Sequence, residues 1–390
     1  MLRSLYSGIS GLRAHQTMLD ATGNNIANVN TTGFKSSSVQ FQDTLSQLTQ
    51  GATTPAADNG GGNPAQVGLG VQVAGISTNF TQGSSQSTGK ASDMMISGDG
   101  FFVTRSGNMT TLTRAGAFDF DANGRLVSPD GGIVQGWMAN GGNLATRGQL
   151  ADIALPRDLV APGAATTTAA LSGNLPKETA TGESIVRDAQ IFSADGTPRT
   201  LTMTFTRTAT GWNVAANDGA GAQGSANLAL AADGRLNGGT LNVGGIGVNL
   251  SELTGFAKLN TVSVTEQNGR AAGTLESFTL GADGTLTGTF SNGTQQPVAR
   301  IALGLVANPA GLQKAGGSSY TLTANSGGIQ YGTAGSPGYG SLSGGMLEMS
   351  NVDLSQEFTN LIVAQRGFQA NARVITTSDE VLQELSNLKR

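Results

Sequence analysis

The sequence predicts an α+β chain that is mainly β. An N- and a C-terminal helix form a coiled-coil-like layer, with two nested β-rich domains between them. Three observations predict this. Apolar residues recur at helical spacing at the two ends. The middle breaks into short apolar runs separated by Gly-containing turns. Composition shifts divide that middle twice.

At the N-terminus, Leu2, Leu5, Ile9, Leu12, Leu19 and Ile26 recur at steps of 3, 4, 3, 7 and 7. This is an a/d seam in which Gln16 and Gly23 take the missing core positions. Gly8, Gly11 and Gly23 weaken the helix, each by up to ~1 kcal/mol relative to Ala. At the other end, Leu354, Phe358, Leu361, Phe368, Ile375 and Leu382 step by 4, 3, 7, 7 and 7, and Val381, Leu385 and Leu388 extend the stripe. Asp353 or Ser355 can cap its start, and Lys389 and Arg390 suit the negative end of its dipole. An isolated helix is marginal in water, so each terminal helix needs a partner face. The other terminal helix supplies one, and neighbouring molecules supply more. A plain helix hairpin in a monomer fits the same pattern.

Between the ends, VGLGVQVAGI (67–76), MMISGDGFFVT (94–104), GAFDFDANGRLVSPDGGIVQGW (116–137) and RTLTMTFTR (199–207) read as strands. The last alternates apolar residues with Thr and Arg, as a half-buried strand does. One turn phrase recurs at irregular spacing: DANGRL (121–126), SADGTP (193–198), ADGRL (232–236) and ADGTL (282–286). Asn-Gly and Asp-Gly supply the positive φ of tight hairpins. Residues 51–66, 139–146, 160–170 and 321–345 have linker composition. The resulting division is 1–30 with 352–390 as the helical part, 31–70 as a linker or extended segment, 71–144 with 285–351 as an inner β domain, and 145–284 as an outer β domain.

Composition excludes most chemistry. Charged residues are 12% of 390, against roughly 25% in an ordinary globular protein, and net charge is −4. No basic block marks a nucleic-acid partner. There is no Cys, so disulfides, thiolate metal sites and Cys nucleophiles are excluded, and His15 is the one His. No apolar run approaches the ~18 residues of a membrane span. The N-terminus lacks the continuous apolar stretch and small-residue cleavage site of a signal peptide. GSSQSTGKAS (83–92) fails as a phosphate loop, because five residues separate Gly83 from Gly89 and Ala91 follows Lys90. The loop opened by Asp121, Asn123 and Asp130 has Gly132 where calcium needs a carboxylate. Asp93 and Asp99 bracket a turn phrase rather than a carboxylate pair. No catalytic, cofactor or metal site is expected.

The segment Gly23–Phe41 is rich in uncharged amide and lacks acidic residues. Gly23, Asn24, Asn25, Asn28 and Asn30 can end the first helix through left-handed backbone and amide caps, and Gly33 before Phe34 permits a second sharp turn. Amides pair with backbone and with neighbouring subunits without the desolvation cost of charge.

That segment lies within MLRSLYSGISGLRAHQTMLDATGNNIANVNTTGFKSSSVQFQD (1–43), which resembles the N-terminal signature of the bacterial flagellar rod and hook axial family. LEMSNVDLSQEFTNLIVAQRGFQANARVITTSDEVLQELSNLKR (347–390) resembles the same family's C-terminus, and ISGDGFFV (96–103), LTRAGAFDFDANGRLV (112–127) and GWMAN (136–140) resemble its β core. Rod members are usually shorter, so the insert near 145–284 places the resemblance on the hook side. The resemblance implies a homopolymer: a flexible, curved helical tube outside the cell that joins rod to filament, transmits torque and carries an export channel. The terminal helices would line it. It also implies the distal rod, the hook cap, the hook–filament junction proteins and the flagellar type III export apparatus as partners. FQDTL (41–45) has the form of an export signal in early substrates. A straight distal rod subunit and a monomeric β-rich binding protein or enzyme stay as alternatives.

Overall fold

Helical period at the ends and strand alternation in the middle each produce their own structure. The structure, a computed structural model, describes residues 2–55, 60–145, 148–156 and 158–387. The fold is mainly β with two long helices, α1 (Leu2–Ala27) and α2 (Leu354–Asn387). Leu388, Lys389, Arg390 and residues 56–59 of the 51–66 loop lie outside the described residues, as does the side chain of Leu2.

α2 starts where Asp353 Oδ1 accepts the Ser355 and Gln356 amides at 2.8 and 3.3 Å, an N-cap that satisfies two orphan donors. Contrary to expectation, Gly23 does not end α1. The helix runs through Gly23, Asn24 and Asn25 to Ala27. Gly23 faces open space, so nothing forces a turn there. The end comes at Asn28, whose side-chain amide donates to the Asn24 carbonyl at 2.9 Å.

Residues 31–70, read as a linker or extended segment, hold three extended strands. Strands β1 (Ser37–Asp43) and β4 (Val71–Thr78) pair antiparallel, and β2 (Ser46–Gln50) pairs with β3 (Ala65–Gly68), which makes a long ribbon. Val39 opposes Ile76 and Phe41 opposes Val73, and such apolar cross-strand pairs hold a ribbon together. The ribbon lies on α1: Ser10 Oγ accepts the Val71 amide at 3.2 Å, and the rings of His15 and Phe41 meet edge to face at 5.8 Å.

Beyond the ribbon, the chain builds two hydrophobic cores. In the first, strand Gln295–Leu305 is central and pairs with 285–290, 133–140, 101–106 and 330–333. Phe102 points into a cluster with Met94, Ile96, Phe118, Ile301 and Leu303, while Phe101 and Val103 join Leu112 and Tyr320 on the other face. Both faces of that strand are covered, which is why FFV is continuously apolar. The second core takes Leu171, Phe205, Trp212, Val214, Leu228 and Leu250 from two sheets, a five-stranded meander (184–237) and a four-stranded sheet. In RTLTMTFTR, Leu201, Met203 and Phe205 are buried and the Thr residues between them are half-buried, as alternation requires.

The chain leaves the first core after Ala161 and re-enters it at Gly273. Mutual Ala164–Arg270 backbone bonds of 2.9 and 3.0 Å close the neck between the cores. The composition shifts at 145 and 284 therefore miss the neck. Strands 151–152, 160–161 and 273–280 pair into the first sheet, and no shift in composition marks them as part of it.

The recurring turns share one geometry. Gly124, Gly196, Gly234 and Gly284 hold φ of 74–81°. A carboxylate just ahead of each, from Asp121, Asp195, Asp233 and Asp283, accepts a backbone amide from beyond the glycine. Those bonds help to hold Asp121 and Asp195 below the usual carboxylate range, with the Arg125 amide foremost at Asp121 and the Thr197 side chain at Asp195.

Candidate functional site

α1 and α2 lie antiparallel, and small residues make their seam. Gly8 backs onto Ile375 and Asn371, Gly11 onto Asn371, and the His15 ring lies against Gly367. Ala14 and Ala364 are buried in the same seam. Gly8 and Gly11, two of the three glycines counted as helix weakeners, are thus residues that let the helix axes approach, whereas Gly23 lies outside the seam.

The expected apolar seam is only partly used within the chain. Leu5, Leu12, Leu19, Ile26, Leu361, Ile375 and Leu382 are half-buried. Ile9, Leu354, Phe358 and Phe368 are exposed, together with Ile362, Val363, Val374, Val381 and Leu385. Phe358 is 51% exposed and Val363 55%, in a helix of 34 residues. Glycines set the approach, and two helices of this length have room to cover only one face each.

Below the seam, the two ends of the chain meet the β body at a polar junction. Asn25 is buried: its amide donates to the Ser37 carbonyl at 2.8 Å and to Glu357 Oε1 at 3.1 Å, and its carbonyl accepts the Ser37 amide at 3.0 Å. One side chain so ties α1, β1 and α2. Asn351 does the same one layer down, accepting the Ser36 amide and donating to the Asn79 and Thr81 carbonyls. Asn24 and Asn30 are exposed, and Asn28 is half-buried. Gly33 holds φ +66°, and a Cβ there would lie 2.4 Å from the Ala115 nitrogen. Phe34 is half-buried beneath the Lys314 ammonium, 5.1 Å from its ring centre.

Sequence reading missed the centre of this junction. Lys35 and Glu348 are fully buried and paired at 2.5 Å. Arg114 adds a second cation to Glu348 at 3.3 Å, donates to the Gly98 carbonyl and lies over the Phe101 ring. Glu348 also accepts the Gly83 amide at 2.9 Å, and Lys35 donates to the Thr81 carbonyl at 2.8 Å. Burial pushes the Lys35 ammonium below its ordinary value, and Glu348 opposes that shift. Tyr320 beside the triad is pushed up to about 12, chiefly by burial. The available signal was a charge in each of GFK, TRAG and LEMS, in a chain where charge is scarce.

The junction's buried charges and amides bind one another and backbone, which holds both chain ends to the β body. No cluster of three metal-ligating side chains occurs among the described residues. No helix among them is long and apolar enough to cross a membrane. Fold and site define a structural protein, with both ends anchored in one β body.

Comparison with known proteins gives the family. Residues 5–35 match the family described as "Flagella basal body rod protein", 95–170 "Flagellar hook protein FlgE/F/G D1 domain", and 343–388 "Flagellar basal body rod FlgEFG protein C-terminal". The flagellar hook proteins FlgE of Borreliella burgdorferi and Treponema pallidum are each 38% identical, with all of both chains covered. The flagellar basal-body rod protein FlgG of Bacillus subtilis is 34% identical, again over all of both chains. The chain belongs to the flagellar hook and rod protein family, which is structural and not enzymatic.

Proposed function

We propose that the chain is the repeating subunit of a flexible flagellar hook tube. The observation that carries this is the outward apolar face of α2. Leu354, Phe358, Ile362, Val363, Val374, Val381 and Leu385 are too many large side chains for a helix that ends its life in water. Copies of the same helices cover them in an inner, coiled-coil-like layer, with the seam glycines fixing the pair within each subunit. The two cores act as nested domains, one in a middle and one in an outer layer. Bending comes from outer contacts that exchange at low cost, since few charges and many small residues make them shallow. The tube carries torque from the distal rod and a channel for later subunits. It meets the hook cap and the hook–filament junction proteins, and the type III apparatus exports it to the flagellum.

The test is a pair of variants in the full chain. Ile362→Asp with Val363→Asp leaves the β cores folded by circular dichroism and abolishes tubes in electron micrographs. Normal tubes from that variant sink the inner-layer reading. Excision of the second core between Ala164 and Arg270 should stiffen or straighten the tube; unchanged curvature would sink the outer-layer part. A straight distal rod subunit is the second reading, favoured by the full-length match to a protein named as rod. Tube curvature separates the two.

A further inference from the structure

One exposed loop and one cleft each combine apolar side chains with charge, of opposite sign, and they lie on opposite sides of the neck. The loop is Gly255–Asn260 at the far tip of the second core. Phe256 and Leu259 stand 50% and 57% exposed, with Lys258 between them. The display is built rather than slack. Buried Asn174 donates to the Phe256 and Leu259 carbonyls at 2.9 and 2.6 Å, and its carbonyl accepts the Phe256 amide. Glu178 accepts the Lys258 amide at 2.8 Å. Lys258 holds φ +66°, a left-handed conformation that costs a non-glycine residue about 1–3 kcal/mol and persists only where the surroundings impose it.

The cleft lies at the base of the first core and encloses about 580 Å³. Phe120 and Phe278 meet edge to face at its wall, 5.3 Å between centres, with Leu155, Pro156 and Leu275 beside them. Asp158 and Glu276 line its rim, both exposed, and neither has an ion-pair partner among the described residues. Asp121 at the same rim is paired with Arg125. Among the described residues the rim is therefore acidic over an apolar floor. The tip carries Lys177, Arg235 and Lys258 against Glu178 and Asp233, so it is basic around two apolar side chains.

Strand Thr168–Asn174 runs from the neck to the tip, which places the tip about 20 Å beyond the neck at 3.3 Å per residue. The cleft is on the near side of the neck, where Val160 pairs with Thr274. We infer that the Phe256–Leu259 tip of one copy seats in the Phe120/Phe278 cleft of another, with Lys258 facing Asp158 and Glu276. Loop and cleft are different surfaces, so the contact is heterologous and propagates into an open helical array instead of closing a dimer. The inference rests on the tube reading above.

The absence of cysteine gives a clean test. Leu259→Cys with Ser277→Cys, in the full chain, places the sole two thiols at loop and cleft. Mild oxidation of tubes should give a ladder of covalent oligomers, absent from each single variant and from dilute monomer. Tubes without the ladder overturn the docking and leave the tube reading intact. A parent chain that never forms tubes overturns both. If the thiol pair itself blocks assembly, charge decides: Lys258→Glu raises the concentration needed for tubes about fivefold, and adding Glu276→Lys restores it. An unchanged threshold in Lys258→Glu overturns the docking.

Discussion

The helix pair and the second core solve the same problem in opposite ways. The second core buries Phe205, Trp212, Val214 and Leu250 almost completely between its own two sheets. It needs nothing outside itself. The helix pair joins through Gly8, Gly11, Ala14, Ala364 and Gly367 and leaves its largest apolar residues outside. Close approach through small residues gives a defined pair with little buried area. Large side chains on the free faces then make the pair depend on other molecules. One region is finished by folding, the other by assembly.

Substitutions should divide along that line. The largest loss belongs to the self-contained core: Trp212→Ala leaves a cavity between two sheets and costs about 3–5 kcal/mol. Calorimetry would show a lowered transition for that core, and an unmoved transition would mean that the two sheets do not share it. Next comes the junction between the regions. Glu348→Ala strands two buried cations and costs on the order of 3–5 kcal/mol, read as a fall in Tm. A Tm within a degree of the parent would remove the triad from the account of how the ends are held.

The third effect is set by pH. The Tyr320 hydroxyl titrates at about 12 in the folded chain against 10.0 unfolded, so between those values the folded state holds more protons. Its contribution is fully present below pH 10 and is lost as pH rises through 12, by about 2–3 kcal/mol. Denaturant titrations at pH 9 and 12 should show a steeper decline for the parent than for Tyr320→Phe. Parallel declines would contradict the burial that raises this group. A smaller change follows at Gly23, which is helical with open space around it. Gly23→Ala should raise helix stability by about 0.5–1 kcal/mol, whereas Gly33→Ala should lower stability because of its positive φ. The smallest monomer effect is that of Phe358→Asp, within about 0.5 kcal/mol for an exposed side chain, even though it should weaken assembly strongly. A large loss of monomer stability there would break the contrast between the two regions.

Both terminal helices, the four Gly turns and the alternating strand at 199–207 were legible because their causes are local. Periodicity, capping and the left-handed preference of glycine act over a few residues. Half of the ribbon at 37–78 was legible: 67–76 read as a strand, but its partner at 37–50 did not, because Ser and Gln there mask the apolar pairs that hold it. The role of Asn25 was half legible. Its amide was expected to serve backbone, and it does, but the helix continues through it instead of ending.

By itself, then, the sequence determined the element types, the turn positions, the absence of thiol chemistry and the family. Tertiary structure alone decided which face of each helix is used. A period shows which residues share a face, but not which neighbour covers it, and here three glycines outweighed a stripe of Leu and Phe by letting two backbones come close. It also decided the junction. Lys35, Arg114 and Glu348 are far apart in the chain, and burial makes their charges partners only once the fold has removed the water between them.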